Sequence, residues 1–282
     1  MTTILWNWFI EPLQYPFMVK AILVSGLVGI ICSVLSCYMT LKGWALMGDA
    51  VSHAVLPGVV LAYVLNIPFA IGAFVFGLSS VIAIGFIKDK TRVKEDTVIG
   101  VVFTGFFAFG LLLISKIPSD VDLMHILFGN VLGISTQDII QTLIIGGISL
   151  IVITLLRKDL LLFCFDPTHA KTIGINTTAL YYILLCLLAL TIVAAQQTVG
   201  IILVIAMLIT PGATGYLLSD RFDIMTLVAV LSGVLSSVCG TYISYHIDGS
   251  TGGCIVVFQS LLFVLAMIFA PKHGLLVRLF NH

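Results

Sequence analysis

The sequence contains very little charge. Only 9% of its 282 residues are Asp, Glu, Lys or Arg, whereas a typical soluble domain has about 25%. The 13 acidic and 13 basic residues balance, so there is no positive surplus of the kind that a nucleic acid partner requires. Together with 60% hydrophobic residues and a mean hydropathy of +1.20, this excludes a soluble globular protein and predicts one that crosses a lipid bilayer many times.

Sequence motifs for nucleotide binding and catalysis are also missing. No G-x-x-x-x-G-K-[ST] loop occurs, so the chain does not bind ATP in that way. No Ser-His-Asp or H-E-x-x-H arrangement is present either. We therefore expect a transport subunit rather than an enzyme, with no cofactor of its own and with its energy supplied by another subunit or an ion gradient. The six cysteines form no C-x-x-C pair, which favours free thiols over a metal site or a disulfide.

Apolar segments of about 20 residues, the length that a membrane span needs, recur along the chain. We predict nine, at residues 21–39, 43–65, 69–87, 97–114, 139–156, 179–195, 199–218, 224–245 and 254–270. The second is the weakest because its first half is polar, so eight spans and a re-entrant helix are the alternative. The sequence predicts an all-α membrane helix bundle of eight or nine transmembrane helices, in a single domain over residues 1–282.

The charged residues predict the orientation of this bundle. Most basic residues fall in loops on one side, which is therefore predicted to be cytoplasmic. They are Lys42, Lys88, Lys90, Arg92, Lys94, Arg157, Lys158, Lys171, Arg221, Lys272 and Arg278. The opposite loops carry Asp120, Asp122, Asp138 and Asp248. We expect the N-terminus on the outer side and the C-terminus inside.

The second predicted span places a carboxylate and an imidazole on one helix face. Asp49 and His53 are four residues apart, which brings their Cβ atoms within about 6 Å of each other. Ionisable side chains inside a membrane are costly and usually mark an ion or substrate path. A carboxylate with an imidazole suits Mn²⁺, Zn²⁺ or Fe²⁺. One chain supplies two ligands, and two copies across a twofold axis would supply four. A pair that only joins helices and a proton relay are the alternatives.

Prolines interrupt two of the predicted spans. Pro57 lacks an amide hydrogen and crowds the carbonyl of His53, so the helix is expected to bend beside the imidazole. Pro211 disrupts the bond to the carbonyl of Met207, and Gly212 adds flexibility. We interpret Pro57, Pro211 and Gly212 as gating or hinge positions, with a simple kink as the alternative at Pro211.

The loop between the fifth and sixth spans has the markers of a short helix. Asp166 suits the N-cap, Pro167 the first helical position, Lys171 the C-terminal turn and Gly174 the residue after the cap. Its apolar residues are expected to be partly exposed: Phe165, Ala170, Ile173 and Ile175. An exposed apolar segment of this kind suits binding to a groove on a second protein. An ordinary surface loop is the alternative.

Other polar residues carry weaker signals. On the outer side they are Gln196, Gln197, His246, Asp248, Asp120, Asp122 and His125. These residues either attract cations before entry or lie at solvated loop ends. Glu95 and Asp96 are placed at a helix start, where the dipole favours a negative charge.

Taken together, these segments resemble the membrane permeases of bacterial metal-ion ABC importers, the ABC-3 type for manganese, zinc or iron, and most of all the manganese branch. The resemblance rests on residues 48–58 (GDAVSHAVLPG), 95–100 (EDTVIG), 122–135 (DLMHILFGNVLGIS), 165–175 (FDPTHAKTIGI) and 198–218 (TVGIILVIAMLITPGATGYLL). Thr168 and His169 depart from it, because relatives often have an acidic and an aromatic residue there.

The resemblance implies a fold like that of type II ABC importers, in the bacterial cytoplasmic membrane. It implies a second copy of the chain, two cytosolic ATPase subunits that bind ATP, and an extracytoplasmic metal-binding lipoprotein. Asp49 and His53 would meet the ion, and Phe165, Asp166, Pro167, Ala170, Lys171 and Gly174 would belong to the coupling helix that docks on the ATPase. We expect Mn²⁺ as the cargo, ahead of Zn²⁺ or Fe²⁺. A gradient-driven transporter, an intramembrane metalloenzyme and an importer of another cargo are less favoured.

Overall fold

The structure is a computed structural model that describes residues 11–117, 135–270 and 274, except for the side chain of Gln197. Every regular element in these ranges is helical. After a 3-10 turn at Pro12–Gln14 the elements are α1 (Pro16–Lys42), α2 (Ala45–Ala54), α3 (Leu56–Leu65), α4 (Phe69–Lys90), α5 (Glu95–Lys116), α6 (Thr136–Leu155), α7 (Arg157–Phe165), α8 (Pro167–Thr172), α9 (Thr177–Val199), α10 (Ile201–Leu218), α11 (Phe222–Ile247) and α12 (Thr251–Phe269).

Nine helical segments of the described chain are long and apolar enough to cross a membrane. They correspond to the nine predicted spans, with α2 and α3 together forming the second. A helix satisfies its own backbone groups, which is why apolar segments of this length fold this way in lipid. Several helices run further than their apolar cores, since α1 begins at Pro16 and α4 continues to Lys90. Helix α7 was not predicted.

The second span is interrupted where the sequence placed a bend. Val55 separates α2 from α3 and keeps helical dihedral angles (φ −68°, ψ −26°). Pro57 lies in the first turn of α3 and has no amide hydrogen to donate. The backbone therefore keeps a helical conformation, and only the regular hydrogen bonding is interrupted, two residues beyond His53. The gating role of Pro57 stays a prediction.

The described chain forms two compact units, each assembled from separate stretches of sequence. The first comprises residues 11–40, 135–143, 198–270 and 274, and so contains nearly all of α1 together with α10, α11 and α12. The second comprises residues 41–117 and 144–197, with α2 to α5 and α7 to α9. The single-domain assignment over residues 1–282 stays a prediction.

Small residues hold α1 against α11 in the first unit. A Cβ atom added to Gly29 would lie 2.8 Å from the Ser237 hydroxyl and 3.1 Å from the Gly233 carbonyl oxygen. One turn away, the hydroxyls of Ser25 and Thr241 are hydrogen-bonded at 3.3 Å. Close backbone approach and side-chain hydrogen bonds replace the hydrophobic driving force that is missing between helices in lipid. In this unit these small residues serve packing within the chain.

Pro211 lies inside α10 without ending it, because a hydroxyl from α1 enters the gap. The Gly212 amide donates to Ser36 Oγ at 2.9 Å, and Ser36 Oγ donates to the Ile209 carbonyl at 3.2 Å. One side chain thus satisfies a donor and an acceptor beside the proline. A Cβ on Gly212 would overlap Ser36. Gly212 is therefore required for this approach, and the hinge role of Pro211 and Gly212 stays a prediction.

In the second unit, α3 and α4 cross at a pair of glycines. A Cβ atom on Gly58 would collide with the Gly72 carbonyl, and one on Gly72 would collide with the Gly58 carbonyl. Next to the crossing lies a core of small apolar side chains that includes Val55, Val59 and Ala73. The crossing fixes α3, and with it the span that carries Asp49 and His53.

Replacing Ser36 with alanine tests the contact beside Pro211. The Ser36→Ala variant removes the hydroxyl that pairs with the buried Gly212 amide and the Ile209 carbonyl. Each such hydrogen bond contributes about 0.5–1.5 kcal/mol, so the thermal unfolding midpoint of the variant in detergent should fall. Ser33→Ala is the matched control on the same helix, because the buried Ser33 hydroxyl has no hydrogen-bond partner in the described structure. Equal midpoints for the two variants would contradict this account.

A methyl group at Gly58 tests the helix crossing. Gly58→Ala should destabilise the protein by about 1–3 kcal/mol, the usual cost of overpacking. Gly147→Ala in α6 meets no atom within 4 Å and should be neutral or slightly stabilising, since alanine favours a helix over glycine by about 1 kcal/mol. Unfolding midpoints of the two purified variants provide the comparison, and a stable Gly58→Ala protein would rule out the tight crossing.

Candidate metal site

Helix α2 presents Asp49 and His53 as a contacting pair. His53 Nε2 lies 3.3 Å from Asp49 Oδ1, as expected for positions i and i+4. The His53 side chain is 31% exposed and the Asp49 side chain 39% exposed, although most of α2 is buried. The pair is therefore accessible on one side, which a pair serving only to join helices would not need to be.

Ser52 is turned away from this pair. Its hydroxyl is buried and donates to the Gly48 carbonyl at 2.7 Å, one turn earlier in the same helix. Its hydrogen is used within the helix. The two ligand-type side chains of the segment are therefore Asp49 and His53.

No third ligand joins them in the described part of the chain. Among the described residues there is no group of three or more His, Cys, Asp or Glu side chains that could hold a metal ion. The cysteines are free, and Cys32, Cys37 and Cys164 are buried. Burial raises the pKa of the Cys164 thiol to about 12, against a smaller opposite effect of Lys42. Cys164 is therefore a protonated thiol at neutral pH.

Two phenylalanine rings of α5 flank His53, and no sequence motif singles them out. The imidazole centroid lies 5.3 Å from the ring of Phe103 and 5.2 Å from the ring of Phe107. These two phenylalanines are four residues apart and stack on each other at 6.0 Å. The four phenylalanines of this apolar span, at positions 103, 106, 107 and 109, are typical of side chains that face lipid or pack in a core. Only the three-dimensional structure therefore reveals which rings contact His53.

The short helix α8 follows the predicted capping pattern. The Asp166 carboxylate accepts hydrogen bonds from the amides of Thr168 (3.0 Å) and His169 (2.9 Å), and Pro167 is the first helical residue. Gly174 has φ +88°, the left-handed conformation that a residue after a helix end often adopts. The predicted helix and its caps are confirmed.

The exposed surface of this segment is smaller than predicted. Phe165 is 78% exposed and Ile173 is 55% exposed, as expected. Ala170, in contrast, is fully buried, so its predicted exposure is wrong. The reason is that α8 packs back on α7, the unpredicted helix before it, with Ala170 on the inner face. Lys171 and Pro167 are exposed beside Phe165.

Charged and aromatic side chains lie near α7 and α8, on the predicted cytoplasmic side. Lys88 and Glu95 form an ion pair at 2.7 Å, which ties the end of α4 to the start of α5. Lys42 Nζ lies 4.1 Å from the ring centroid of Phe163 in α7. A cavity of about 230 Å³ opens beside these lysines and Pro167. The sequence predicted Glu95 only as a residue at a helix start, and the structure shows that its ion pair also joins two membrane helices.

Among the other polar candidates, Gln196, His246 and Asp248 lie in the described chain. The side-chain amide oxygen of Gln196 (Oε1) is buried and has no hydrogen-bond partner in the described chain. His246 contacts the rings of Tyr242 and Tyr245, and Asp248 ends α11 in a left-handed conformation. Asp120, Asp122 and His125 lie outside the described residues, as do Lys272 and Arg278.

Known proteins resemble the chain over nearly all of its length. The model of the ABC 3 transport family matches residues 14–270. The manganese transport system membrane protein MntB of Synechocystis sp. is 70% identical over 273 residues, which cover 97% of this chain and 89% of that protein. The chelated iron transport system membrane protein YfeD of Yersinia pestis is 58% identical over 259 residues, which cover 92% of this chain and 87% of that protein.

A solved structure agrees with these matches. PsaBC from Streptococcus pneumoniae, in complex with Fab, superposes with a TM-score of 0.85 at 40% identity, covering 96% of this chain and 98% of that one. The nine helical segments, the motif segments and these relatives lead to one conclusion. The chain is a multi-pass membrane protein that belongs to the ABC 3 transport family.

Proposed function

We propose that the chain is the permease of an ATP-driven importer that carries a divalent transition-metal ion, with Mn²⁺ as the first candidate, into the bacterial cytoplasm. The Asp49–His53 pair is the observation that carries the proposal. It places two metal-ligand side chains 3.3 Å apart, partly accessible, on a membrane helix of a transport-family protein. Such groups are retained in a membrane when they serve an ion path.

The names of the relatives support the choice of cargo. The relative with 70% identity is named for manganese transport, and the one with 58% identity for chelated iron transport. Mn²⁺ is therefore the first candidate and Fe²⁺ the second. Zn²⁺ also suits a carboxylate and an imidazole, and it binds most such sites more tightly than Mn²⁺. Selectivity for Mn²⁺ would then require discrimination at delivery or by the completed coordination shell.

The site needs a second copy of the chain to be complete. One chain supplies two ligand side chains, whereas zinc sites are commonly four-coordinate and manganese prefers six ligands, some of them water. Two copies related by a twofold axis bring two carboxylates and two imidazoles together. The accessible side of the pair, where each side chain is about one-third exposed, is where such a copy and the ion would meet it.

The energy for transport comes from a partner in this proposal. The sequence has no nucleotide-binding loop, so two cytosolic ATPase subunits would bind ATP and dock on the exposed side of α8. Movement of α8 would open the Asp49–His53 site to one side of the membrane and then to the other. An extracytoplasmic metal-binding lipoprotein would deliver the ion. Both ligands bind metal only when deprotonated, so uptake should weaken at acidic pH.

Substitution of the pair tests the ion path. Asp49→Asn and His53→Gln keep the size of each side chain approximately but remove a ligand, so Mn²⁺ uptake by the reconstituted permease–ATPase complex should fall by more than about 10-fold. Ser52→Ala is the control, because that hydroxyl bonds only to its own helix. Wild-type uptake by both ligand variants, in complexes that assemble normally, would refute the proposed site.

Substitution of Phe165 tests the docking of the ATPase. Phe165→Asp puts a charge on the most exposed large apolar side chain of the segment and should weaken binding of the ATPase by about 30-fold, which corresponds to a loss of about 2 kcal/mol at an interface hot spot. Phe165→Tyr keeps the ring and should bind normally. Lys158→Ala, on the exposed side of α7, is a nearby control. Co-purification of the ATPase measures the effect, and full recovery with Phe165→Asp would exclude this docking surface.

A further inference from the structure

His53 has a single polar restraint in the described chain. Its Nε2 atom is 3.3 Å from Asp49 Oδ1, and no other hydrogen bond or ion pair holds the imidazole. A ligand histidine is normally oriented by a hydrogen bond from its other ring nitrogen to a carboxylate or carbonyl. An ion that enters between Nε2 and Oδ1 replaces the Asp49 contact. Some other group must then keep the imidazole in place.

The rings of Phe103 and Phe107 are the groups in position to do so. Both lie within 5.3 Å of the imidazole centroid, at interplanar angles of 54° and 76°. These distances and tilted arrangements are within the favourable range for aromatic pairs. The two rings meet the imidazole from one helix, so they restrict its rotation while leaving its Asp49-facing edge free. They carry no polar atom, so they cannot compete for the ion.

The helix that carries these rings is itself fixed. Gly110 of α5 approaches Leu56 of α3 so closely that an added Cβ would lie 2.8 Å from Leu56 Cγ. At its other end, Glu95 is paired with Lys88 of α4 at 2.7 Å. Phe103 and Phe107 lie between these two anchor points. Their rings are therefore set against α2 by contacts that do not involve His53.

We propose that Phe103 and Phe107 are positioning residues for the cargo ion: they hold the His53 imidazole in its metal-binding orientation and keep water from its far side. The inference rests on the proposed function, since it concerns the same site. In this proposal, the groups that orient the ligand His53 are apolar rings instead of hydrogen-bond acceptors. Loss of the rings should weaken ion binding while leaving the later transport steps intact.

The test compares three phenylalanines of α5 in the purified, reconstituted permease–ATPase complex. The double variant Phe103→Leu, Phe107→Leu should bind Mn²⁺ about 10-fold more weakly, the lower end of the usual loss when the support of a ligand is removed. The KM for uptake should rise to a similar extent, with the maximal rate nearly unchanged. Phe106→Leu is the matched control, because Phe106 makes its aromatic contact with Phe76 at 6.1 Å instead of with His53.

Further variants separate positioning from general packing. Phe103→Tyr with Phe107→Tyr retains both rings and should restore Mn²⁺ affinity. If the double leucine variant does not assemble, the single variants Phe103→Leu and Phe107→Leu provide the same comparison with smaller losses. A spectrum of bound Co²⁺ should also change in the leucine variants and not in Phe106→Leu, because the geometry at His53 is altered.

The experiments can contradict either the positioning role of the phenylalanines or the ion site itself. If the leucine variants that assemble bind Mn²⁺ as tightly as the wild type, or lose no more affinity than Phe106→Leu, the positioning role is overturned while the site itself stands. If Asp49→Asn and His53→Gln also leave Mn²⁺ binding unchanged, the proposed ion site fails. The ligand variants therefore identify which of the two is wrong.

Discussion

Inside a membrane every polar group must find its partner within the protein, because no water is available to replace one. The described structure meets this requirement in several ways. Ser36 supplies both a donor and an acceptor where Pro211 interrupts α10. Hydroxyls such as those of Ser52 and Thr214 bond to the carbonyl one turn earlier. Helix α10 continues through Pro211, and the Ser36 hydroxyl pairs with the Gly212 amide and the Ile209 carbonyl beside it.

The Asp49–His53 pair is distinctive against this background. Its two ionisable side chains contact each other, yet both remain about one-third exposed. These two strong ligand side chains are thus only partly satisfied within the chain. Their remaining capacity fits a cation that enters and leaves. In the proposed importer, a site completed by a second copy of the chain would open when the two copies move.

A single helix connects this site with the predicted cytoplasmic side. α5 begins at Glu95, which is paired with Lys88, and two to three turns later presents Phe103 and Phe107 to His53. Lys42, next to Lys88 in the same cavity, contacts Phe163 of α7, the helix against which α8 packs. In the second unit, these contacts and the cavity that Lys42 and Lys88 share therefore connect the exposed Phe165 segment with the proposed ion site at Asp49 and His53.

The amino-acid sequence by itself determined the membrane class, the nine spans, the contact between Asp49 and His53 and the capping of α8. Each of these follows from local rules: apolar length, i and i+4 spacing, and the preferences of Asp, Pro and Gly at helix ends. The family follows as well, because its motifs are contiguous in the chain. An ion-path role for Asp49 follows from the cost of a carboxylate in an apolar span, and this role stays a prediction.

Only the tertiary structure decided which side chains meet across helices. Ser36 beside Gly212, Gly58 against Gly72, and Phe103 with Phe107 around His53 are contacts between residues that are 14 to 176 positions apart. In a uniformly apolar helix no periodic pattern marks the inner face, so the sequence does not indicate which phenylalanine faces a ligand. The burial of Ala170 was missed for the same reason, since it depends on how α8 folds back on α7.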